Sequence, residues 1–220
     1  SEVLWTPSPE RIASSKLTAF THFLQKKHQA EFSDYSALHQ WSIDHLEAFW
    51  ASFIEFTELM TTGEYGAVLD EPKLLGTRWF DGTSLNYAEN ILGRGFSGPA
   101  IRYAVESEDP HLVPEFYEMT FDELARDVAR CAAALKEVGV GKGDRVVAYL
   151  ANVPEAIVAC LACASLGAIW SSASPDFGLE ALRDRFEQLE PNALFASTHY
   201  RYGGKVFETR ETVTAATARM

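Results

Sequence analysis

The feature that most constrains the fold is a regular alternation of amphipathic and continuously apolar segments between residues 120 and 196. Thr120 and Glu123 stand in a T-x-x-E capping box, and apolar residues at helical spacing extend the predicted helix until Gly139 ends it. The run RVVAYL at 145–150 then predicts a strand that is buried on both faces. Helices and strands continue to alternate, which is typical of a doubly wound parallel sheet.

The rest of this region completes the prediction of an α/β fold. After the buried strand come, in order, a helix over 154–166, the strand AIW at 168–170, a helix over 179–189, the strand ALFA at 193–196 and a threonine-rich helix from Lys205 toward Met220. Upstream, 100–105 and 115–120 alternate as the strands of an antiparallel hairpin. The fold class is therefore α/β, with an incomplete doubly wound, mostly parallel sheet.

The first half of the chain is predicted to be mainly helical. Ser8 before Pro9 and an acidic residue favours a helix that runs to about residue 29. A second helix, beginning after Ser42, carries a wide apolar stripe over 43–56. Residues 61–82, rich in glycine, proline and turn residues, indicate an extended covering loop before a short helix over 85–92.

The stretch LGRGFSGPAI at 92–101 contains GxGxxG through Gly93, Gly95 and Gly98. A dinucleotide loop needs a strand before it and a helix after it, and the predicted order here is the reverse. We therefore interpret Gly93 as a left-handed residue that ends a helix, followed by a turn. An alternative hypothesis is that the chain is one half of a nucleotide-dependent oxidoreductase. That hypothesis requires a strand immediately before Gly93. GVGKGD at 139–144 is interpreted as a helix-to-strand turn.

Metal binding and serine-type hydrolysis are not favoured by the spacing of reactive residues. Cys160 and Cys163 form a CxxC within an apolar helix and have no second pair. The six histidines show neither HxxxH nor HExxH spacing, and no GxSxG is present. We expect the cysteines to be buried structural residues in a reducing compartment.

Charge and hydropathy limit the partners. Nineteen Lys and Arg against 31 Asp and Glu give a net charge of −12, which repels a phosphate backbone and predicts no nucleic-acid partner. The longest apolar stretch, 156–170, contains Ser165 and Gly167 and is shorter than the ~20 residues of a membrane span. The opening residues show no secretory signal. These features predict a cytoplasmic protein that has no membrane partner.

Two loops follow predicted strands at the edge where α/β proteins bind ligands. SSASPDFG at 171–178 follows AIW, and a simple capped turn is an equally good interpretation of it. RYGGK at 201–205 follows ALFA and joins two cations to a flexible glycine pair. Such a loop suits a phosphate group on a ligand, although basic loops also occur as solvated surface.

Taken in order, several segments resemble the amino-terminal part of the acetoacetyl-CoA synthetase family, within the adenylate-forming acyl-CoA synthetase superfamily. These segments are LWTPSPERI, LEAFWASFIEF, WFDGTSLNYAENIL, the run MTFDELARDVARCAAALKEVGVGKGDRVVAYLANVPEAIVACLACASLGAIWSSASPDFG, and RYGGK. The resemblance covers nearly the whole chain, and WSSASPDFG is its most discriminating piece. It implies residues 1–98 as a helical extension and 99–220 as the first α/β layer of the adenylating domain.

The same resemblance implies a ligase that uses ATP, Mg²⁺ and CoA to convert acetoacetate to acetoacetyl-CoA through an acyl-adenylate. It implies a CoA channel at the segment Ser174, Pro175, Asp176, Phe177 and Gly178 and at Arg201 and Lys205. Pro175 with Asp176 replaces glycines of acetyl-CoA synthetases, and Tyr202 replaces an arginine. The family's phosphate loop, adenine segment, ribose-binding Asp and catalytic Lys lie further along, so this chain is expected to be an amino-terminal portion that is inactive alone.

Two further alternatives remain open. One is the corresponding part of an acetyl-CoA or propionyl-CoA synthetase. The other is a non-enzymatic interaction module whose aromatic stripe over 43–56 docks a partner. A truncated α/β layer would also expose sheet edges and apolar helix faces, which predicts self-association.

Overall fold

The structure is a computed structural model that describes residues 4–107, 109 and 113–218. Two compact units make up the chain, Ser1–Leu85 and Asn86–Met220. The predicted domain boundary after residue 98 differs from the boundary between these compact units, and it stays a prediction, because a compact unit need not coincide with a family domain. His111 and the predicted end of the last helix at Met220 lie outside the described residues.

The first unit contains four helices among its described residues. They are α1 Pro9–Ala13, α2 Lys16–His28, α3 Tyr35–Asp44 and α4 Leu46–Thr57. The single helix predicted to run from Ser8 to residue 29 is wrong, because the chain breaks at Ser14 and the hydroxyl of Ser15 accepts the amide of Thr18 to begin α2. Helix α3 was not predicted, and His45 separates it from α4.

Aromatic side chains fill the core of this unit. Phe20, Leu24 and Leu38 are buried, and Phe49 and Phe56 pack against them. Part of the apolar stripe over 43–56 is thus covered within its own unit. The segment after α4 is closed by isolated bridges at 62–84 and 69–79.

Among its described residues, the second unit has three helices on one side of its parallel sheet, two helices on the other side, and two separate antiparallel hairpins. In order these are α5 Tyr87–Leu92, β1 Pro99–Ala104, β2 Phe116–Thr120, α6 Phe121–Glu137, β3 Arg145–Tyr149, α7 Pro154–Leu166, β4 Ile169–Ala173, α8 Leu179–Glu187, β5 Ala193–Ala196, β6 His199–Tyr202, β7 Lys205–Glu208 and α9 Arg210–Thr217. Strands β1 and β2 form the predicted antiparallel hairpin, and β6 pairs with β7.

The parallel sheet has the strand order β4-β3-β5, with β3 in the centre. Val146 belongs to the core on the side of α5, α6 and α7, whereas Val147 belongs to the core under α8 and α9. Both side chains are 0% exposed. The prediction of an α/β fold with a strand buried on both faces is confirmed.

The capping box is confirmed, since the Thr120 hydroxyl accepts the Glu123 amide and the Glu123 carboxylate accepts the Thr120 amide. Two local predictions are wrong. Gly93 has φ −82° and is not left-handed, because its amide continues the helical pattern to the carbonyl of Glu89. Lys205 begins strand β7 and not a helix, which starts only at Arg210.

The GxGxxG stretch follows helix α5 and precedes strand β1. Gly95 and Gly98, with φ of +65° and +89°, make the turn between them. An oxidoreductase loop requires a strand immediately before Gly93, but the residues there form helix α5. The oxidoreductase alternative is therefore not supported. The interpretation of these glycines as a helix end followed by a turn is confirmed, apart from the conformation of Gly93.

Candidate functional site

The candidate site is the edge of the parallel sheet at which β3, β4 and β5 end. The connection from β3 passes through α7 to β4 on one side, and the connection from β4 through α8 leads back across β3 to β5 on the other. Such a reversal leaves a crevice between the carboxyl ends of β3 and β5, where doubly wound proteins bind ligands.

A cavity of about 380 Å³ lies in this crevice. Its lining comprises Met119, Asp127, Cys131, Leu150, Glu155, Val158, Ala159, Phe195 and Ala196. Most of these side chains are apolar, and none is a cation. Because its two charged side chains are carboxylates, the cavity is unsuited to a phosphate group.

The predicted segment 174–178 leaves the carboxyl end of β4 and leads into α8. Pro175 is buried, whereas Ser174 and Asp176 are exposed. The amide of Phe177 donates to the carbonyl of Ser174 at 3.1 Å and closes a turn. The Arg185 guanidinium lies 4.7 Å from the centre of the Phe177 ring. Gly178 is the N-cap of α8. The segment is thus ordered by its own turn, by α8 and by one buried proline.

Tyr149, the last residue of β3, is hydrogen-bonded to this segment. Its ring is 2% exposed, and its hydroxyl lies 2.6 Å from the carbonyl oxygen of Pro175 and 2.8 Å from that of Phe177. Burial raises the pKa of the Tyr149 phenol, with smaller contributions from Tyr200 and Asp176. The phenol therefore remains a donor at neutral pH.

Sequence reasoning missed Tyr149. The signal was present, because a tyrosine that ends an otherwise aliphatic buried run must find a partner for its hydroxyl. The charges of Asp176 and Tyr200 add to the raised pKa of Tyr149, so groups of the 174–178 segment and of strand β6 both influence the phenol. The carbonyl of Tyr149 also accepts the amide of Ser197, at 3.2 Å.

The prediction of a loop over RYGGK is wrong in part, because Arg201 and Tyr202 belong to β6 and Lys205 begins β7, so that only Gly203 and Gly204 form a tight hairpin turn. Gly203 and Gly204 have φ of +57° and +74°, the sign that a type I′ turn requires at both central positions. The Gly203 amide donates to a Glu106 carboxylate oxygen at 2.7 Å. The glycine pair is therefore held in one conformation by strand pairing and by a carboxylate.

The register of this hairpin separates the two cations. Tyr202 is paired with Lys205, and Arg201 with Val206. Because neighbouring residues of a strand point to opposite faces, Arg201 and Lys205 lie on opposite faces of the hairpin. Their assignment to CoA binding, like that of 174–178, stays a prediction.

The thiols lie between α6 and α7, away from the segment and the hairpin. Cys163 is 0% exposed, and burial raises its pKa to about 12, with the nearby Cys131 and Cys160 adding to the shift. Among the described residues, no group of three or more His, Cys, Asp or Glu is arranged to hold a metal ion. The packing agrees with a structural role for the CxxC. Within the described part of the chain, no helix is both long and apolar enough to cross a membrane.

Comparison with known proteins places the chain in an enzyme family. Residues 101–219 match the model described as "AMP-binding enzyme", and residues 35–91 match "Acetyl-coenzyme A synthetase N-terminus". The chain is 38% identical to acetoacetyl-coenzyme A synthetase of Rhizobium meliloti (strain 1021) over 92% of this chain and 30% of that protein. It is 38% identical to acetoacetyl-CoA synthetase of Danio rerio over 96% of this chain and 31% of that protein.

A solved structure is similar over almost the entire chain. It is acetoacetyl-CoA synthetase from Streptomyces lividans, with a TM-score of 0.89 and 40% sequence identity over 99% of this chain and 33% of that one. The chain thus spans about a third of the length of these relatives. The family model covers more than half of the chain, including the parallel sheet and its carboxyl edge. The chain belongs to the AMP-binding enzyme family.

Proposed function

We propose that the protein to which this sequence belongs is an ATP-dependent acid–thiol ligase that converts acetoacetate and CoA to acetoacetyl-CoA through an acyl-adenylate. The observation that carries the proposal is the similarity to a Streptomyces lividans acetoacetyl-CoA synthetase over 99% of the chain, at 40% identity. In this reaction ATP would supply the adenylyl group and lose pyrophosphate, Mg²⁺ would neutralise the triphosphate, and the thiol of CoA would take the acyl group from the adenylate as AMP leaves. The chain spans about a third of the length of these relatives, so the 220 residues alone are expected to be inactive.

The contribution proposed for this chain is to border the path of CoA at the carboxyl edge of the sheet. The exposed residues of the 174–178 segment, Ser174, Asp176 and Gly178, offer hydrogen-bonding groups to the amide-bearing pantetheine arm. The phosphates of CoA need cations, and the β6–β7 hairpin offers Arg201 on one face and Lys205 on the other. The carboxylate-bearing cavity beside β5 is excluded from this role by its charge.

The activity is tested with a chimera in which these 220 residues replace the matching third of the Streptomyces lividans enzyme. We expect acetoacetate-dependent exchange of pyrophosphate into ATP by the chimera, and none by the 220-residue chain alone. The parent enzyme is the positive control, and a thermal melt checks that the chimera is folded. Exchange by the isolated chain, or a folded chimera without exchange, would contradict the proposal.

The CoA assignment is tested separately, because pyrophosphate exchange does not require CoA. In the chimera, Lys205→Ala and Arg201→Ala are each expected to raise the KM for CoA by about threefold to tenfold, the loss of one charge-assisted contact, with exchange unchanged. Lys136→Ala is a matched control, since this exposed lysine lies in the last turn of α6, which leads into the amino end of β3. Unchanged KM values for both variants would remove the hairpin from the CoA path.

A second candidate substrate class is favoured by one observation. Residues 35–91 match a model named for acetyl-CoA synthetase, so a ligase for acetate or propionate is the alternative. The same exchange assay with acetate, propionate and acetoacetate in parallel separates the two. A preference of the chimera for acetate or propionate over acetoacetate, where the parent enzyme prefers acetoacetate, would favour the alternative.

Self-association is proposed as a property of the isolated chain. Within the described residues, β4 and β5 each pair with β3 alone, so their outer edges are free to pair with another strand. Sedimentation velocity over a range of concentrations is expected to show a mass that rises with concentration. A constant monomer mass would contradict this part of the proposal.

A further inference from the structure

A buried side chain at the end of the central strand, that of Tyr149, is hydrogen-bonded to the 174–178 segment. Tyr149 is 2% exposed and ends the central strand, which is paired on both sides. Its hydroxyl lies 2.6 Å and 2.8 Å from the carbonyl oxygens of Pro175 and Phe177. These two residues flank Asp176, so the contacts fix the backbone on both sides of the exposed carboxylate.

The ring and the hydroxyl of Tyr149 have separate tasks. The ring packs with buried residues under α8 and α9, including Leu182 and Phe186. A phenylalanine would fill the same space, and only the hydroxyl reaches the segment. The hydroxyl of Tyr149 is therefore needed to hydrogen-bond the backbone of 174–178, and it is not needed to fill the core.

We propose that Tyr149 is a positioning residue that fixes the 174–178 segment in the conformation in which it receives CoA. Its single proton is shared between two carbonyls two residues apart, which holds the segment against the end of β3. The inference rests on the proposed function for the identity of the ligand. The anchoring itself depends only on contacts within this chain.

The anchoring is tested by amide hydrogen exchange on the 220-residue chain with Tyr149→Phe. We expect exchange about fivefold to tenfold faster in peptides covering 174–182, the fold-change for losing about one hydrogen bond, with β3 and the rest of α8 unchanged. Tyr117→Phe is the matched control, because it also removes a bonded hydroxyl, donated to Glu115 at 2.9 Å, from a strand outside the site. No change at 174–182, or a uniform rise through the core, would overturn the inference.

The consequence for CoA is tested with the same two variants in the chimera. Tyr149→Phe is expected to raise the KM for CoA about fivefold while leaving acetoacetate-dependent pyrophosphate exchange unaltered, a separation that general destabilisation would not produce. An equal fall in both reactions, or an unchanged KM, would overturn the role in CoA reception. If the unsubstituted chimera shows no exchange, the proposed function fails, and hydrogen exchange on the isolated chain still decides whether Tyr149 holds the segment.

Discussion

The two edges of the parallel sheet use polar groups in opposite ways. At the amino edge, the Arg145 guanidinium donates to the carbonyls of Leu189 and Glu190 at 2.7 to 3.0 Å. Arg145 and Asn192 also exchange hydrogen bonds, because the Arg145 amide donates to the Asn192 side chain and the Asn192 amide to the Arg145 carbonyl. These contacts are internal, and they bind the turn after α8 to the start of β3.

At the carboxyl edge, the polar groups hold segments that remain open to a ligand. The hydroxyl of Tyr149 supports 174–178, the hairpin turn is held by Glu106, and a cavity of about 380 Å³ lies beside β5. At the amino edge the polar side chains bond to their own chain, whereas at the carboxyl edge Ser174, Asp176 and Gly178 stay exposed. The difference shows that polar groups stabilise a turn at one edge and support the candidate site at the other.

The largest effect is expected at the amino edge. Arg145→Ala should lower the free energy of unfolding by about 2 kcal/mol, because the carbonyl oxygens of Leu189 and Glu190 lose a charged donor. Urea denaturation measures it. Arg102→Ala is the control, since its ion pair with Glu118 is exposed, with side chains 72% and 48% accessible, and should contribute less than about 1 kcal/mol. A smaller loss for Arg145 than for Arg102 would break the contrast between the edges.

The reactivity of the thiols tests whether the cavity at the carboxyl edge is open to small molecules. Cys131 is partly exposed and lines the cavity, whereas Cys163 is fully buried. Burial raises the pKa of both thiols, that of Cys163 to about 12. Iodoacetamide reacts with thiolates, so Cys131 should be alkylated at least about tenfold faster than Cys163 under native conditions. Peptide mass spectrometry over time measures both rates, with the urea-unfolded chain as the reference. Equal native rates would indicate that the cavity is not open.

The smallest effect is expected at the hairpin turn. Gly203→Ala should lower the free energy of unfolding by about 1 kcal/mol, because φ is +57° there although no atom lies within 4 Å of the new methyl group. Gly66→Ala is the control, with equally open space and no positive φ. A thermal melt compares the two variants. A loss at Gly203 as large as that of Arg145→Ala would mean that the carboxyl edge, too, stabilises the fold.

Much of the fold could be predicted because its signals are local. The capping box at Thr120, the buried run at 145–150 and the glycine that ends α6 each depend on a few neighbouring residues. Gly93 was mispredicted because a glycine after a helix favours a left-handed turn, but its amide still reaches Glu89 and the chain reverses only at Gly95 and Gly98. The preference of a glycine at this position for a left-handed conformation is therefore not realised at Gly93, and the chain turns toward β1 two residues later.

The site was less predictable because it depends on contacts between distant residues. Lys205 was assigned to a helix, although a glycine pair between HYRY and KVFE is a hairpin signal. Strand register then decides that Arg201 and Lys205 lie on opposite faces. The partnership of Tyr149 with residues 26 and 28 positions away could not be predicted from periodicity, since only the parallel pairing of β3 with β4 brings them together.

The central position of β3 has a consequence for how the second unit unfolds. Val146 completes the core on one side and Val147 completes the core on the other, and both are fully buried. Neither layer of helices can therefore separate from the sheet without exposing a strand that the other layer also needs. We expect the two layers to unfold together in one cooperative transition. A destabilising substitution on either side of β3 would then unfold the carboxyl edge together with the rest of the unit.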